Sequence, residues 1–296
     1  MNFGRVLTAM VTPFDQNGEI DFEATRRLVN HLISNGSDGL VVAGTTGESP
    51  TLTHDEKLQL FKFVVAEVNG RVPIIAGTGS NNTKASIELS REAESIGVDA
   101  VMLVVPFYNK PSQEGMYQHF LTIAESIELP VMLYNIPGRS VVNMNAETTI
   151  RLSRIKNIVS VKESSGDLNQ VTEIVNNTPQ DFTVYSGEDS LTLPTLAVGG
   201  AGIVSVSAHV IGNEMQDMVN RYQKGDVAQA SAIHGYILPV MNAIFSAPSP
   251  TPVKEALGRI GVPVGSVRLP LIPLNEAERA SLFDIIDQHF SQGATG

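Results

Sequence analysis

The sequence contains no cysteine among its 296 residues. Disulfide bonds and thiolate metal sites are therefore excluded, and the absence fits a reducing compartment. Basic residues are also few, since 20 Lys and Arg stand against 31 Asp and Glu, for a formal net charge of −11. Because nucleic-acid phosphates demand a basic protein face, we expect no nucleic-acid partner. A small carboxylate ligand is compatible with this charge, because a few backbone amides and one arginine can bind it locally.

Long hydrophobic runs are absent as well. No apolar segment reaches the roughly 18 residues of a membrane span. Residues 1–6 lack the basic region and the apolar core of a secretory signal. We therefore expect a cytoplasmic protein without a membrane partner. Apolar residues nevertheless make up 42% of the chain, which is ample for a large core.

Several sequence signatures of catalysis are also missing. The six histidines are scattered without metal-ligand spacing, so we expect no metal centre. The Gly-x-Ser-x-Gly motif of many serine hydrolases does not occur. Segment 77–83 matches only half of a dinucleotide-binding fingerprint, because it lacks the last glycine and a clear ribose-binding acid. We therefore expect no nicotinamide cofactor.

The sequence does contain a regular alternation of short apolar runs and amphipathic stretches. Eight runs are predicted strands: Val6–Val11, Gly39–Ala43, Val72–Ala76, Ala100–Val105, Val131–Asn135, Ile158–Lys162, Phe182–Ser186 and Gly202–Val206. Each run is followed by a helical pattern, and eight such units predict an α/β fold, a (β/α)8 TIM barrel. An open doubly wound sheet is the alternative, since it shares the same alternation.

The alternation stops after Gly225. Three helices without intervening strands are predicted beyond it, at Asp226–Ile244, Pro252–Gly261 and Asn275–Gln292. We therefore predict two domains. Residues 1–225 form the barrel that carries the active site, and residues 226–296 form a small C-terminal helical extension.

One lysine stands out from the other seven. Lys162 closes the strand-like core run Ile158–Lys162, whereas the others lie in polar helical or loop segments. The C-terminal end of a barrel strand faces the active-site mouth. Burial there disfavours an ammonium ion, and a neutral amine attacks ketones to form a Schiff base. The alternative is a lysine whose amine extends from the strand end into solvent.

Other loops at the same end of the predicted barrel carry side chains suited to a small keto acid. The segment Gly44–Ser49 places two threonines between glycines, where amides and hydroxyls can bind an anion. Tyr134 lies near the end of the fifth strand and could transfer a proton, while Arg139 on the next loop could bind a carboxylate. Tyr108 lies on the loop after the fourth strand. An ordinary turn remains the alternative for the segment Gly44–Ser49, and a packed aromatic remains the alternative for each tyrosine.

These motifs occur together in an order that resembles the pyruvate-dependent class I aldolase superfamily and, within it, the dihydrodipicolinate synthase family. The resemblance runs from the N-terminus to about Leu274. It implies a Schiff-base-forming lyase that condenses pyruvate with L-aspartate 4-semialdehyde to 4-hydroxy-tetrahydrodipicolinate, the first committed step of diaminopimelate and lysine biosynthesis. No cofactor is implied, because pyruvate is held as a covalent imine. The motifs are Gly44-Thr45-Thr46-Gly47-Glu48-Ser49, Tyr108-Asn109-Lys110-Pro111, Tyr134-Asn135-Ile136-Pro137-Gly138-Arg139 and Val161-Lys162-Glu163.

The resemblance also implies catalytic roles and an assembly. Lys162 forms the imine with pyruvate, and Tyr134 transfers protons beside it. Thr46 and Tyr108 complete a relay of hydroxyl groups, each of which can both donate and accept a hydrogen bond. Because the tyrosine corresponding to Tyr108 enters the neighbouring subunit's site in this family, the resemblance implies a homodimer with a shared active site, often paired into a homotetramer.

Five positions correspond to substrate-binding residues of the family. Thr45, Thr46 and Val204 match positions around bound pyruvate. Arg139 matches the guanidinium that binds the semialdehyde carboxylate, and Gly187 lies near the imine. One departure is the sequence after Arg139, where many synthases carry Thr-Gly and this chain has Ser-Val.

Two other functions remain open from the sequence. N-acetylneuraminate lyases and 2-keto-3-deoxy sugar acid aldolases resemble this chain in the lysine and the tyrosine, but they generally lack an arginine at the position of Arg139. A non-catalytic barrel that binds keto acids is the alternative from another class, and it would be expected to lose the lysine or a relay hydroxyl.

The resemblance also bears on feedback inhibition by L-lysine. Sensitive relatives bind lysine with polar groups after the second strand and on the helix after the third. This chain has Lys57 where histidine is usual, Ala85 where glutamate is usual and Phe107 where tyrosine is usual, while Ser49, His54 and Asn81 are kept. We therefore predict poor inhibition by lysine.

Overall fold

The computed structural model of the chain describes residues 3–293. Eight parallel strands form a closed barrel in sequence order, and the last strand pairs with the first. The strands are β1 (Val6–Ala9), β2 (Gly39–Val42), β3 (Ile74–Gly77), β4 (Ala100–Val104), β5 (Val131–Asn135), β6 (Ile158–Glu163), β7 (Thr183–Ser186) and β8 (Gly202–Ser205). The predicted barrel is therefore confirmed, and the alternative open sheet is wrong.

The strands are buried on both faces, which explains why their sequences are apolar throughout rather than alternating. One set of side chains fills the barrel interior and includes Leu7, Val41, Met132 and Val204. The other set packs outward under the helices. Each observed strand lies within one or two residues of its predicted ends, and β5 matches its prediction at both ends.

Helices follow the strands and cover the outside of the barrel. The helix after β2 (α2, His54–Val68) begins with a reciprocal capping box between Thr53 and Glu56, a strong local start signal. A short helix in the loop after β5, which contains Arg139, was not predicted. The helices of the barrel are α1 (Phe22–Ser34), α2 (His54–Val68), α3 (Thr83–Ile96), α4 (Gln113–Ala124), α5 (Pro137–Ser140), α6 (Ala146–Leu152), α7 (Leu168–Asn177), α8 (Thr192–Ala197) and α9 (Ala208–Gln223).

Three further helices follow the barrel, as the sequence predicts. They are α10 (Val227–Ala243), α11 (Thr251–Arg259) and α12 (Glu276–Gly293). Helix α10 packs along α9, and α11 packs against α12. The division into domains 1–225 and 226–296 stays a prediction, and residues 1–2 and 294–296 lie outside the described range. Within that range, no helix is both long enough and apolar enough to cross a membrane.

Candidate active site

Lys162 and Tyr134 lie side by side at the C-terminal end of the barrel. They are register partners on β6 and β5, so their side chains leave the sheet on the same face. Lys162 is 4% exposed and Tyr134 3% exposed, so the lysine does not extend into solvent. The Lys162 Nζ lies 4.3 Å from the centroid of the Tyr134 ring. The amine is therefore packed against the face of the tyrosine ring.

Gly187 has no side chain, and the Lys162 side chain occupies part of the space that one would need. The backbone N–H of Gly187 donates to the Glu163 carbonyl at 2.8 Å, which brings the end of β7 against the end of β6. A Cβ at this position would approach Lys162 Cε to 2.8 Å and Ser164 Oγ to 1.8 Å. Any larger residue would therefore have to displace the Ser164 side chain and the stem of Lys162.

The two threonines lie in a tight turn after β2. The Glu48 N–H donates to the Thr45 carbonyl at 3.1 Å, and Thr12 Oγ1 donates to the Gly47 carbonyl at 2.6 Å. Thr46 is buried and Thr45 is half-buried. The turn is thus fixed by a hydrogen bond within itself and by a second one from Thr12 in the loop after β1.

A cleft of about 310 Å³ opens beside these loops. Of the predicted site residues, Thr45, Tyr134 and Arg139 line it. Among the described residues, the Arg139 guanidinium has no carboxylate partner, although its side chain lies at the protein surface. Val204 is fully buried in the barrel interior, in the same cluster as Tyr134. The cleft therefore places an uncompensated cation and a phenol within one small-molecule-sized space.

Thr46, Lys162, Gly187 and Val204 do not line the cleft, and neither does Tyr108, which lies at the surface. Its side chain is 89% exposed, and its backbone adopts φ +69°, a conformation rarely taken by residues other than glycine. Side-chain amides hold the loop in place, since Asn109 Nδ2 donates to the Asn81 carbonyl at 2.9 Å and Asn81 Nδ2 donates to the Phe107 carbonyl at 3.2 Å. The tyrosine is therefore held out from the surface of its own chain.

The expectation that all lysines other than Lys162 lie in polar segments is wrong, because a second lysine is buried. Lys254 of α11 is buried, and its Nζ lies 2.6 Å from Glu48 Oε1. Burial lowers the pKa of Lys254 to about 8, against the opposing effect of the Glu48 charge. The apolar spacing of α11 contained the signal, because Val253 and Leu257 flank the lysine on the buried side of the helix.

Glu163, next to Lys162, is a further buried charge that the sequence did not single out. Its carboxylate accepts from Asn135 Nδ2 at 3.0 Å, from the Ser165 N–H at 2.7 Å and from Gln170 Nε2 at 3.1 Å. Burial raises the pKa of Glu163, while these hydrogen bonds oppose the rise. The network ties the ends of β5 and β6 together beneath the site. No metal-binding group of three His, Asp or Glu side chains occurs among residues 3–293.

Comparison with known proteins identifies the family. Residues 2–289 match the dihydrodipicolinate synthetase family. The 4-hydroxy-tetrahydrodipicolinate synthase of Oceanobacillus iheyensis is 63% identical over 97% of each chain. The crystal structure of dihydrodipicolinate synthase from Bacillus anthracis is 59% identical, with a TM-score of 0.96 over 97% of this chain and 98% of that one. A structure of the enzyme from Cyanidioschyzon merolae with lysine bound is 45% identical, with a TM-score of 0.96 over the same shares. The chain belongs to the dihydrodipicolinate synthetase family.

Proposed function

We propose that the chain condenses pyruvate with L-aspartate 4-semialdehyde to give 4-hydroxy-tetrahydrodipicolinate, on the route to diaminopimelate and lysine. Relatives that share about three fifths of its residues over nearly its whole length carry the name of this synthase. The observation that carries the proposal is the buried Lys162 amine against the Tyr134 ring, beside a cleft lined by Arg139. A buried amine, a phenol and a guanidinium are the groups that an imine-forming reaction between two carboxylated substrates requires.

The reaction follows from the chemistry of Lys162. Its amine adds to the ketone carbon of pyruvate, and loss of water leaves a protonated imine. The imine draws electrons from the methyl carbon, which loses a proton and becomes an enamine. The enamine carbon bonds to the aldehyde carbon of the semialdehyde, whose oxygen takes up a proton. The amino nitrogen of the semialdehyde then attacks the imine carbon, which closes the ring and expels the lysine. The protein needs no further cofactor, because the imine itself serves as the electron sink.

Proton transfer is assigned to a relay of three hydroxyls. Tyr134 is next to the lysine, and Thr46 is buried in the neighbouring turn. Tyr108 completes the relay only if it reaches the site of a second copy, because it is held out from its own chain. We therefore assign a homodimer with shared active sites, paired into a homotetramer. A relay of hydroxyls moves a proton without creating a charged intermediate.

Substrate recognition is assigned to the loops around the cleft. The amides and hydroxyls of Thr45 and Thr46 hold the pyruvate carboxylate, with Val204 beneath it. Arg139 pairs with the semialdehyde carboxylate, since its guanidinium has no ion-pair partner in the described chain. Gly187 provides room for the imine, because a Cβ there would collide with the lysine stem.

A coupled assay separates this function from its alternatives. Product should form only when pyruvate and aspartate semialdehyde are both present, and N-acetylneuraminate should not be cleaved. Cleavage of N-acetylneuraminate or of a 2-keto-3-deoxy sugar acid without synthase activity would favour a different aldolase. Failure to form a borohydride-reducible adduct with pyruvate would favour a non-catalytic keto-acid-binding barrel. Location in the cytoplasm stays a prediction from the sequence.

A further inference from the structure

A buried ion pair joins the C-terminal helices to the turn that carries Thr45 and Thr46. Glu48 follows these threonines in the chain, and its side chain is 2% exposed. Its Oε1 lies 2.6 Å from Nζ of Lys254, whose side chain is also 2% exposed. The Lys254 ammonium donates to the Ser266 carbonyl at 2.8 Å and lies 4.3 Å from the centroid of the Phe14 ring. Both charged groups are therefore almost completely shielded from solvent by the protein.

A second C-terminal residue contacts the same carboxylate. The Arg268 N–H donates to Glu48 Oε2 at 2.9 Å, so each carboxylate oxygen has a partner from the segment after the barrel. The Arg268 guanidinium lies on the Phe14 ring and pairs with Glu56 at the start of α2. It also donates to the Thr51 carbonyl at 2.9 Å. The turn after β2 and the first turn of α2 are thus both fastened to residues beyond the barrel.

The backbone of Glu48 shows why this anchoring acts on the threonines. Glu48 has φ 56° and ψ 35°, the left-handed conformation that is unfavourable for residues other than glycine. In that conformation its N–H donates to the Thr45 carbonyl at 3.1 Å, and its carbonyl accepts from the Thr51 N–H at 2.9 Å. Such a conformation persists only where its surroundings fix it. The side-chain contacts of Glu48 supply that constraint.

We propose that Glu48, held by Lys254 and by the Arg268 N–H, is a positioning residue that sets the Thr45–Thr46 turn for the pyruvate carboxylate. The inference rests on the proposed function, because it assigns the geometry of the pyruvate site to the C-terminal helices. A buried ion pair contributes little net stability, since the cost of desolvating two charges offsets their attraction. What the pair does supply is one fixed geometry, which is what a turn that binds a small anion through its amides needs.

The consequence is a specific pattern among variants. Lys254→Met keeps most of the length of the side chain but leaves the Glu48 carboxylate buried without its cation, so the turn must move to reach water. Glu48→Gln keeps the shape but removes the charge that attracts Lys254. Both changes should affect pyruvate first, because the threonines bind it. Arg139 lies on a different loop, so recognition of the semialdehyde should change little.

The test measures borohydride trapping of the pyruvate imine in the full-length protein as a function of pyruvate concentration. Lys254→Met and Glu48→Gln should each raise the half-saturating pyruvate concentration by about tenfold or more, the scale expected for a misplaced binding group. The KM for the semialdehyde should change by less than about twofold. Arg259→Met is the matched control on the same helix, because it breaks the exposed Arg259–Asp287 pair. It should leave pyruvate saturation as in the wild type.

The double variant Glu48→Gln with Lys254→Met separates positioning from stability. Removing both charges relieves the unpaired carboxylate, so stability should recover relative to Lys254→Met while pyruvate binding stays weak. Folded single variants with wild-type pyruvate saturation would overturn the inference. So would unfolded single variants together with a folded double variant that saturates normally, because the pair would then serve stability alone. A wild-type protein that forms no adduct with pyruvate would instead refute the proposed function.

Discussion

Tyr134 and Lys162 face each other because the register between β5 and β6 shifts by one residue. Val131 pairs with Ile158, whereas Met132 pairs with Ser160, so Val159 is the extra residue on β6. Since side chains alternate between the two faces of a strand, a one-residue shift decides which residues share a face. Without the shift, Tyr134 would pair with Val161. The irregularity thus brings the amine onto the same face as the phenol, and bulges near active sites often serve to redirect a side chain in this way.

Lys162, and not Lys254, is expected to form the imine. Both lysines are buried, and burial lowers the pKa of Lys254 to about 8, but its ammonium is paired with Glu48. Borohydride reduction in the presence of pyruvate should therefore label the peptide that contains Lys162, which mass spectrometry can identify. Lys162→Ala should abolish the label, whereas Lys254→Met should keep some of it at high pyruvate concentration. A label on the Lys254 peptide would contradict the assignment.

Arg139 is expected to recognise the second substrate rather than pyruvate. Arg139→Ala should raise the KM of the semialdehyde by about thirty- to a thousandfold, because a charge-assisted bidentate contact contributes about 2–4 kcal/mol. Trapping of the pyruvate imine should remain. The KM of Arg139→Lys for the semialdehyde should lie between those of the wild type and Arg139→Ala, because lysine keeps the charge but not the bidentate geometry. Steady-state kinetics with each substrate varied in turn provide the measurement. Equal increases in both KM values would show that the arginine serves pyruvate as well.

Tyr108 is expected to act in the active site of a second copy. Its 89% exposure leaves the phenol without a role in its own chain. Tyr108→Phe and Lys162→Ala should each be nearly inactive, but mixing the two proteins should restore activity, since a mixed dimer can assemble one complete site. Refolding the variants together and separately provides the control for subunit exchange. No recovery after exchange is verified would argue that each chain works alone.

His209 is expected to make the protein sensitive to acid. The histidine is fully buried between the loops after β1 and β8, where Nδ1 donates to the Val206 carbonyl at 2.7 Å and Nε2 accepts from the Val11 N–H at 3.1 Å. Burial lowers the pKa of His209 from 6.5 to about 4 in the folded protein. Between these two values the unfolded chain binds the proton more readily, so the free energy of unfolding falls as the pH drops from about 6.5 toward about 4.

The size of this effect can be measured. The free energy of unfolding should be about 2 kcal/mol lower at pH 5 than at pH 7 because of His209. His119 should add to this decrease, because burial also lowers its pKa to about 4. Denaturant unfolding at the two pH values reports the difference. His209→Asn should be less stable than the wild type at pH 7. The decrease in its free energy of unfolding from pH 7 to pH 5 should be about 2 kcal/mol smaller than that of the wild type. An undiminished pH dependence in this variant would exclude His209 as the cause.

The sequence is sufficient for some of these features and not for others, for physical reasons. Apolar runs that end in a polar residue predict a barrel strand and its active end, so the segment Ile158–Lys162 indicates that Lys162 lies at the barrel mouth. That segment alone leaves open whether the amine is buried or extends into solvent. The burial of Lys254 is indicated by its apolar neighbours in α11, but its partner Glu48 could not be predicted, because α11 and the loop after β2 are distant in the chain. The register shift at Val159 leaves no trace in the apolar pattern, since that strand is buried on both faces.

Poor inhibition by L-lysine is expected, and the structure adds reasons for it. Lys57 lines the cleft and is half-buried, and burial lowers the pKa of its amine. No carboxylate in the described chain balances its charge. Ala85 offers no carboxylate for a ligand ammonium, and the His54 ring is engaged by Glu92 at 2.6 Å. A second cation beside Lys57 would be left uncompensated in a partly buried space, at a cost of several kcal/mol.

Steady-state assays with added L-lysine test the prediction. Half-inhibition below about 1 mM, which corresponds to an affinity of about 4 kcal/mol, would refute it. The double substitution Ala85→Glu with Lys57→His should move the protein toward sensitivity, because it supplies the carboxylate and removes the competing cation. Ala85→Gln with Lys57→His is the matched control, since it adds the same volume without the charge. If both pairs respond alike, the shape of the site and not its charge governs lysine binding.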